Sequence, residues 1–241
     1  MAIISDLACE LLRRRPAEQD GVRVTTRRSG HLTVHTTVIT TDSAAKHIGK
    51  PIGTYINIAT DPADDTPDAT VAPTLTKALR PLIPDRERLL VVGLGNDRFV
   101  ADSLGPQVLQ RLRTSPHLLT FEPNVRGVTG INSVDAIKAI SDLVRPTAVI
   151  VIDSLVSAEP TRIGTNYQIC TSGITPGSGL GRDNPCLNQA LLGVPVIAVG
   201  IPICTLLTKP RRQIYHVVPK DIDLVIDTCA ATVADALSTL Q

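Results

Sequence analysis

Aromatic side chains are scarce in this chain of 241 residues: two Phe, three Tyr and no Trp, 2% in all. A core must therefore be assembled from Val, Ile, Leu and Ala. With 43% hydrophobic residues there is enough of that material to exclude wholesale disorder. Neither sign of charge is in excess, and the formal net charge of +1 gives no broad electrostatic surface for DNA or RNA. No apolar run approaches the ~18 residues of a membrane span, and the N-terminus lacks the basic-then-apolar pattern of a secretion signal. The expectation is a soluble, cytoplasmic protein with neither a membrane nor a nucleic acid as direct partner. The five cysteines (Cys9, Cys170, Cys186, Cys204, Cys229) are odd in number and show no C-x-x-C spacing. Reduced, mostly buried thiols are expected, rather than a zinc site.

Familiar catalytic signatures are missing as well. There is no H-E-x-x-H, and the five histidines (His31, His35, His47, His117, His216) are scattered, so no metal site is expected. Arg98 stands where a dinucleotide fingerprint needs its third glycine, and no Walker phosphate loop is present; no cofactor is expected. The run PGSGL at Pro176–Leu180 neither follows an apolar strand nor opens a strong helix, which argues against a serine nucleophile elbow.

What is present centres on LLVVGLGNDRFVADSLGP, residues 89 to 106. The apolar run Leu89–Val92 suits a buried strand. Gly93 and Gly95 break it, and Asp102 and Ser103 are good caps for a helix predicted from Asp102 to Arg113. A second core strand, Thr147–Asp153, also ends in an acid, and a third, Val194–Val199, ends at Gly200. Earlier in the chain a helix is predicted over Ser5–Arg15, capped by Ser5. A Val/Thr-rich hairpin over Val22–Arg28 and Leu32–Thr40 turns at Ser29-Gly30-His31. Short elements at Ser43–Ile48 (helix) and Tyr55–Ala59 (strand) precede a polar loop, Asp61–Pro67, and a helix over Val71–Leu82. Further predicted elements are a short strand at Leu118–Phe121, helices at Ser133–Val144 (capped by Ser133) and Cys186–Leu192, and an extended stretch at Asn166–Cys170. A glycine-rich loop spans Ser172–Gly181, a Pro- and Lys/Arg-containing loop follows Gly200, and a C-terminal helix spans Ile222–Leu240.

Strands alternating with helices predict a single three-layer α/β/α unit over residues 1–241, hydrolase- or phosphorylase-like. It has a mainly parallel central sheet and a β-rich N-terminal extension, residues 22–60, packed on that core. In such sheets ligands bind beyond the carboxyl ends of the strands. Asp102 and Asp153 both belong on that rim. Each has a bland role open to it: Asp102 as a helix cap, Asp153 as the cap of a turn at Ser154. Together they make a candidate pair, because two carboxylates sharing a site split their affinities for the proton and can activate water. The glycine-rich loop, in turn, either presents backbone N–H groups to an oxyanion or peptide or is a crossover that needs positive φ.

Several blocks occur together in a fixed order: VVGLGNDRFVADSLGP, VRGVTGINSVDAI, AVIVIDSLVSAEPTRIGTNYQICTSGITPGSGLG, LLGVPVIAVGIP, with SDLACE at the head and VVPKDIDLVIDTCAATVADAL at the tail. The chain thereby resembles the germination proteases of endospore-forming bacteria over nearly its whole length. The resemblance implies an atypical aspartic endopeptidase that degrades small acid-soluble spore proteins in the forespore or spore core, and a homo-oligomer (tetrameric in that family). The family's acids in PDALGP and IDALA fall on Asp102 and Asp153, implying that these are catalytic. The first turn (Gly93, Gly95, Asn96) and the later loop (Gly173, Pro176, Gly177, Ser178, Gly179) are the implied substrate-binding segments.

The resemblance further implies a self-processing zymogen cut between Asp6 and Leu7, so that residues 1–6 would be a short propeptide. The chain departs from the family pattern in shortened regions at Pro202–Tyr215 and Phe121–Arg126 and in Ala101, which replaces a proline. Two other readings start from the same strand and turn: a hydrogenase-maturation type of endopeptidase, and an inactive interaction protein whose acids only cap. Peptidyl-tRNA hydrolases share VVGLGN, but their P-x-x-x-Y and T-R-H-N elements are missing here.

Overall fold

The computed structural model describes residues 5–13, 20–60, 69–83, 85–177, 184–209 and 213–240. Among them, nine strands form one sheet: β1 (Val22–Ser29), β2 (Leu32–Ile39), β3 (Gly53–Ala59), β4 (Leu89–Gly93), β5 (Leu118–Phe121), β6 (Ala148–Ser157), β7 (Asn166–Cys170), β8 (Val196–Lys209) and β9 (Gln213–Val217). Their order is β1-β2-β3-β7-β8-β6-β4-β5, with β9 pairing the far end of β8. The core strands β8, β6, β4 and β5 run parallel. The N-terminal hairpin β1–β2, with β3 and β7, extends the same sheet antiparallel.

Alternation along the strands explains why both faces are covered. Leu89 and Val91 of β4, Ile150 and Ile152 of β6, and Ile197 and Val199 of β8 face one apolar layer. That layer is closed by α3 (Val71–Leu79), α4 (Leu104–Arg111) and α8 (Ile222–Ser238). Leu90, Val92, Val149, Val151 and Val196 face the other side, under α6 (Ser133–Val144) and α7 (Gln189–Leu192). Farther along that side lie α1 (Ala8–Arg13) and α2 (Asp42–Ile48), where Ala8, Ile39, Ile48, Tyr55 and Ala198 meet. Each fully buried aliphatic side chain contributes about 1.5–3 kcal/mol, so a core without Trp is adequate. A short helix, α5 (Arg126–Thr129), lies in the connection from β5 to α6.

Several boundaries differ from the sequence expectation. α1 starts at Ala8 rather than Ser5, because Asp6 N–H is bonded to Val156 O of β6. α4 starts at Leu104 with Ser103 at its N-cap position, and a single 3₁₀ turn, Val100–Asp102, precedes it. Asn132, not Ser133, caps α6 through Val134 N–H. Asn188 caps α7, which begins at Gln189 rather than Cys186. β6 runs four residues beyond Asp153, to Ser157. β8 likewise continues past Gly200 to Lys209 and pairs antiparallel with β9, so residues 201–209, read as part of a loop, are strand, while residues 210–212 lie outside the described residues. Pro202, which has no N–H to give a ladder, is tolerated beside a bulge where the β6–β8 register shifts. The Asp61–Pro67 loop, Ser178 and Gly179 lie outside the described residues.

Candidate active site

Asp153 is placed by simple register. Gly93, the last residue of β4, pairs with Ile152, so Asp153 is the first residue of β6 past the end of its neighbour. Asp102 is brought there by a tight return. Leu94 N–H donates to Ile152 O (2.9 Å), and Asn96 N–H donates to the Asp102 carbonyl (2.8 Å), closing the loop 96–102. Gly95 makes this possible: its φ is +118°, and a Cβ there would lie 1.9 Å from the Asp102 carbonyl oxygen. Gly93 packs against Gly105 of α4, where an added Cβ would lie 2.6 Å from the Gly105 backbone. Gly93 and Asn96 thus build the turn, while Gly95 also borders a cavity.

Two cavities meet at the acids. One, of about 410 Å³, is lined by Asp102 and Asp153 together with Asp6, Lys50, Tyr55, Gln168, Gly173, Cys204 and His216. The other, of about 550 Å³, is lined by the same two acids with Gly95, Arg126, Asn132, Pro176 and Asn184. Gly177 borders both. The structure therefore brings both acids and the described part of the glycine-rich loop to one cleft. Gly173 and Gly177 have positive φ, and a Cβ on Gly173 would lie 2.0 Å from Leu187 O. The positive φ that the crossover reading calls for is present at both positions, and the loop's place on the cleft wall is compatible with peptide contact.

Burial pushes the Asp153 carboxyl well above the usual carboxylate range, and the charges of Asp102 and Asp6 push it the same way; the N–H of Ser154 opposes them. That N–H is bonded to Asp153 Oδ1 at 2.9 Å, so the anticipated local contact at Ser154 exists and leaves Oδ2 outside it. The Ser154 hydroxyl, buried on the cavity wall, has no hydrogen-bond partner among the described residues.

Residues 5–10 pass through this site. Val156 N–H donates to Asp6 Oδ2 (2.9 Å), while Lys50 Nζ (2.9 Å) and Gln168 Nε2 (3.0 Å) donate to the Asp6 carbonyl. Leu7 and Ala8 are buried. Glu10 anchors the segment: it accepts from Ser157 Oγ and from the N–H groups of Ala158 and Glu159, and it pairs with Arg162 at 3.0 Å. Both members of that ion pair are buried, Glu10 at 4% and Arg162 at 7% exposure.

Lys50, Gln168, Cys204 and His216 were not singled out from sequence as site residues. Cys204 Sγ lies 3.8 Å from His216 Nδ1 on the cavity wall. A cysteine nucleophile is disfavoured there, since burial, with Asp6 and Asp102 nearby, pushes the thiol up to about 11. All five cysteines are free thiols, and Cys170, Cys204 and Cys229 are buried, as expected. His31 and His35 lie on the N-terminal hairpin, where His35 meets Thr26. No helix among the described residues is long and apolar enough to cross a membrane.

Fold and site together define an α/β chain with a carboxylate pair at the carboxyl edge of its parallel strands. The family model for germination protease matches residues 6–210, and the chain belongs to that family. It is 38% identical over 149 residues to the germination protease of Clostridium tetani, covering 55% of this chain and 46% of that one. Against that of Caldanaerobacter subterraneus it is 40% identical over 129 residues, covering 47% and 40%. Against that of Bacillus subtilis it is 39% identical over 128 residues, covering 47% and 35%. The aligned part spans less than half the length of each of these relatives. A [NiFe] hydrogenase maturation protease, HycI, from Thermococcus kodakarensis superposes with a TM-score of 0.46 at 16% identity, covering 66% of this chain and 98% of that one.

Proposed function

We propose that this chain is an endopeptidase of aspartic type that hydrolyses small acid-soluble spore proteins during germination. The observation that carries the reading is the pair Asp102 and Asp153, brought by the turn after β4 and by β6 to a cleft that Asp6 of the chain's own N-terminal segment also lines. In this reading Asp153, desolvated and facing two other carboxylates, keeps its proton. Asp102 is then the carboxylate that takes a proton from water. Water attacks the peptide carbonyl, and Asp153 protonates the departing amine; neither a metal nor a covalent intermediate is required of these residues.

The same reading takes Asp6–Leu7 as a self-processing bond, with an acid before the cut as in the substrates. It places the protein in the forespore or spore core as a homo-oligomer. Digestion of a purified small acid-soluble spore protein, with mass spectrometry of the fragments, tests it. Cleavage on the carboxyl side of acidic residues is the expected result. A folded wild-type chain that leaves the substrate whole at mildly acidic and neutral pH, and still does so after removal of residues 1–6, would overturn the proposal.

A further inference from the structure

The N-terminal segment borders the first cavity at Asp6, and the carbonyl of that residue is held in an unusual way. Two donors converge on the Asp6 carbonyl oxygen: the Lys50 ammonium at 2.9 Å and the Gln168 side-chain amide at 3.0 Å. Gln168 also accepts from Ala8 N–H at 2.8 Å, so one buried side chain grips the peptide groups on both sides of Leu7. Lys50 follows directly on the left-handed turn at Gly49 that ends α2, and Gln168 lies on β7. Both line the cavity that Asp102 and Asp153 line.

A carbonyl facing an ammonium and an amide N–H at a part-buried position is polarised before any reaction begins. Donors in that position stabilise the negative charge that forms on the oxygen when the carbon is attacked. From this geometry we infer that Lys50 and Gln168 are the oxyanion-stabilising pair of the site, with the Asp6 carbonyl seated as the carbonyl under attack. The inference rests on the peptide-hydrolase reading above and adds two catalytic residues to it. The water oxygen bonds to the Asp6 carbonyl carbon as Asp102 takes one of its protons. The carbonyl electron pair moves onto the oxygen held by Lys50 and Gln168. Collapse then breaks the bond to the Leu7 nitrogen, which takes its proton from Asp153. One water has been added across the bond, and return of a proton from Asp102 to Asp153 resets the pair.

The test follows the full-length chain by intact mass, measuring the first-order release of a fragment ending at Asp6, together with digestion of an added spore protein. Lys50→Met removes the charge at similar length, and Lys50→Arg restores a cation. Hydrogen exchange at the Ala8 amide reports whether the segment stays seated. The expected result is release by wild type, slowed about 100-fold or more in Lys50→Met and largely recovered in Lys50→Arg, with the Ala8 amide protected in all three. Release by Lys50→Met within threefold of wild type would overturn the inference and leave the peptidase reading standing. So would wild type that digests the added protein yet never cuts after Asp6. Wild type inert in both assays, and still inert toward the added protein after removal of residues 1–6, would bring down the peptidase reading and this inference with it.

Discussion

Asp153 occupies a position that favours its neutral form, and this sets a pH dependence that can be measured. Its carboxyl is raised well above the ordinary range by burial and by Asp102 and Asp6. The folded protein therefore binds a proton that the unfolded chain gives up at an ordinary carboxylate pKa. The stability this provides is complete below that ordinary value and is withdrawn as pH climbs through the raised one. Asp153→Asn keeps the shape without the titration. It should raise the melting temperature relative to wild type at pH 7, with the gap closing near pH 4 and below. An equal gap at both pH values would show that the carboxyl is not raised. At this scale the two acids were legible in the sequence because each follows a recognisable strand or turn. Lys50 and Gln168 were not, because their partner is residue 6, which lies 44 and 162 positions away from them. No local pattern encodes such a meeting.

At the scale of elements, the site depends on how closely α4 sits on the end of β4. Gly105 makes the approach possible: a Cβ there would lie 2.3 Å from Leu94 O and 2.6 Å from Leu94 N, and backbone cannot yield as a flexible side chain can. Gly105→Ala should therefore cost about 1–3 kcal/mol, the usual penalty for overpacking, as read from urea unfolding. Proteolysis should fall more steeply than the remaining folded fraction explains, because Asp102 precedes the displaced helix by two residues. Stability within a few tenths of a kcal/mol of wild type would refute this packing account.

The strand–turn–helix unit was readable because apolar run, glycines and cap residues follow one another locally. The overrun of β6 and the β8–β9 pairing were not. Asp153 and Ser154 interrupt the apolar run of β6, and Gly200 with Pro202 interrupts that of β8. Pairing between distant strands outweighed those interruptions, as tertiary context does with β propensity.

In the whole molecule, one sheet serves two ends. Its parallel part presents Asp102 and Asp153, and its antiparallel extension, through β7 and the loop after α2, supplies the groups that hold residues 5–10 beside them. The buried Glu10–Arg162 pair fastens that segment, and loss of Arg162 would leave the Glu10 carboxylate buried without its cation. The alternation of strands and helices was enough to anticipate covered faces and a rim of acids. That the chain's own N-terminal segment would line the cleft through Asp6 could not be read from that alternation.

The central claim is that the two carboxylates act together on water. Its most direct test is kcat for Asp102→Asn, Asp153→Asn and the double variant, each shown to be folded by circular dichroism and thermal melting. The expected result is a loss of about 10²–10⁴-fold in each single variant, with the double variant little worse than either, as befits residues acting as a unit. Either folded single variant retaining activity within tenfold of wild type would contradict the account.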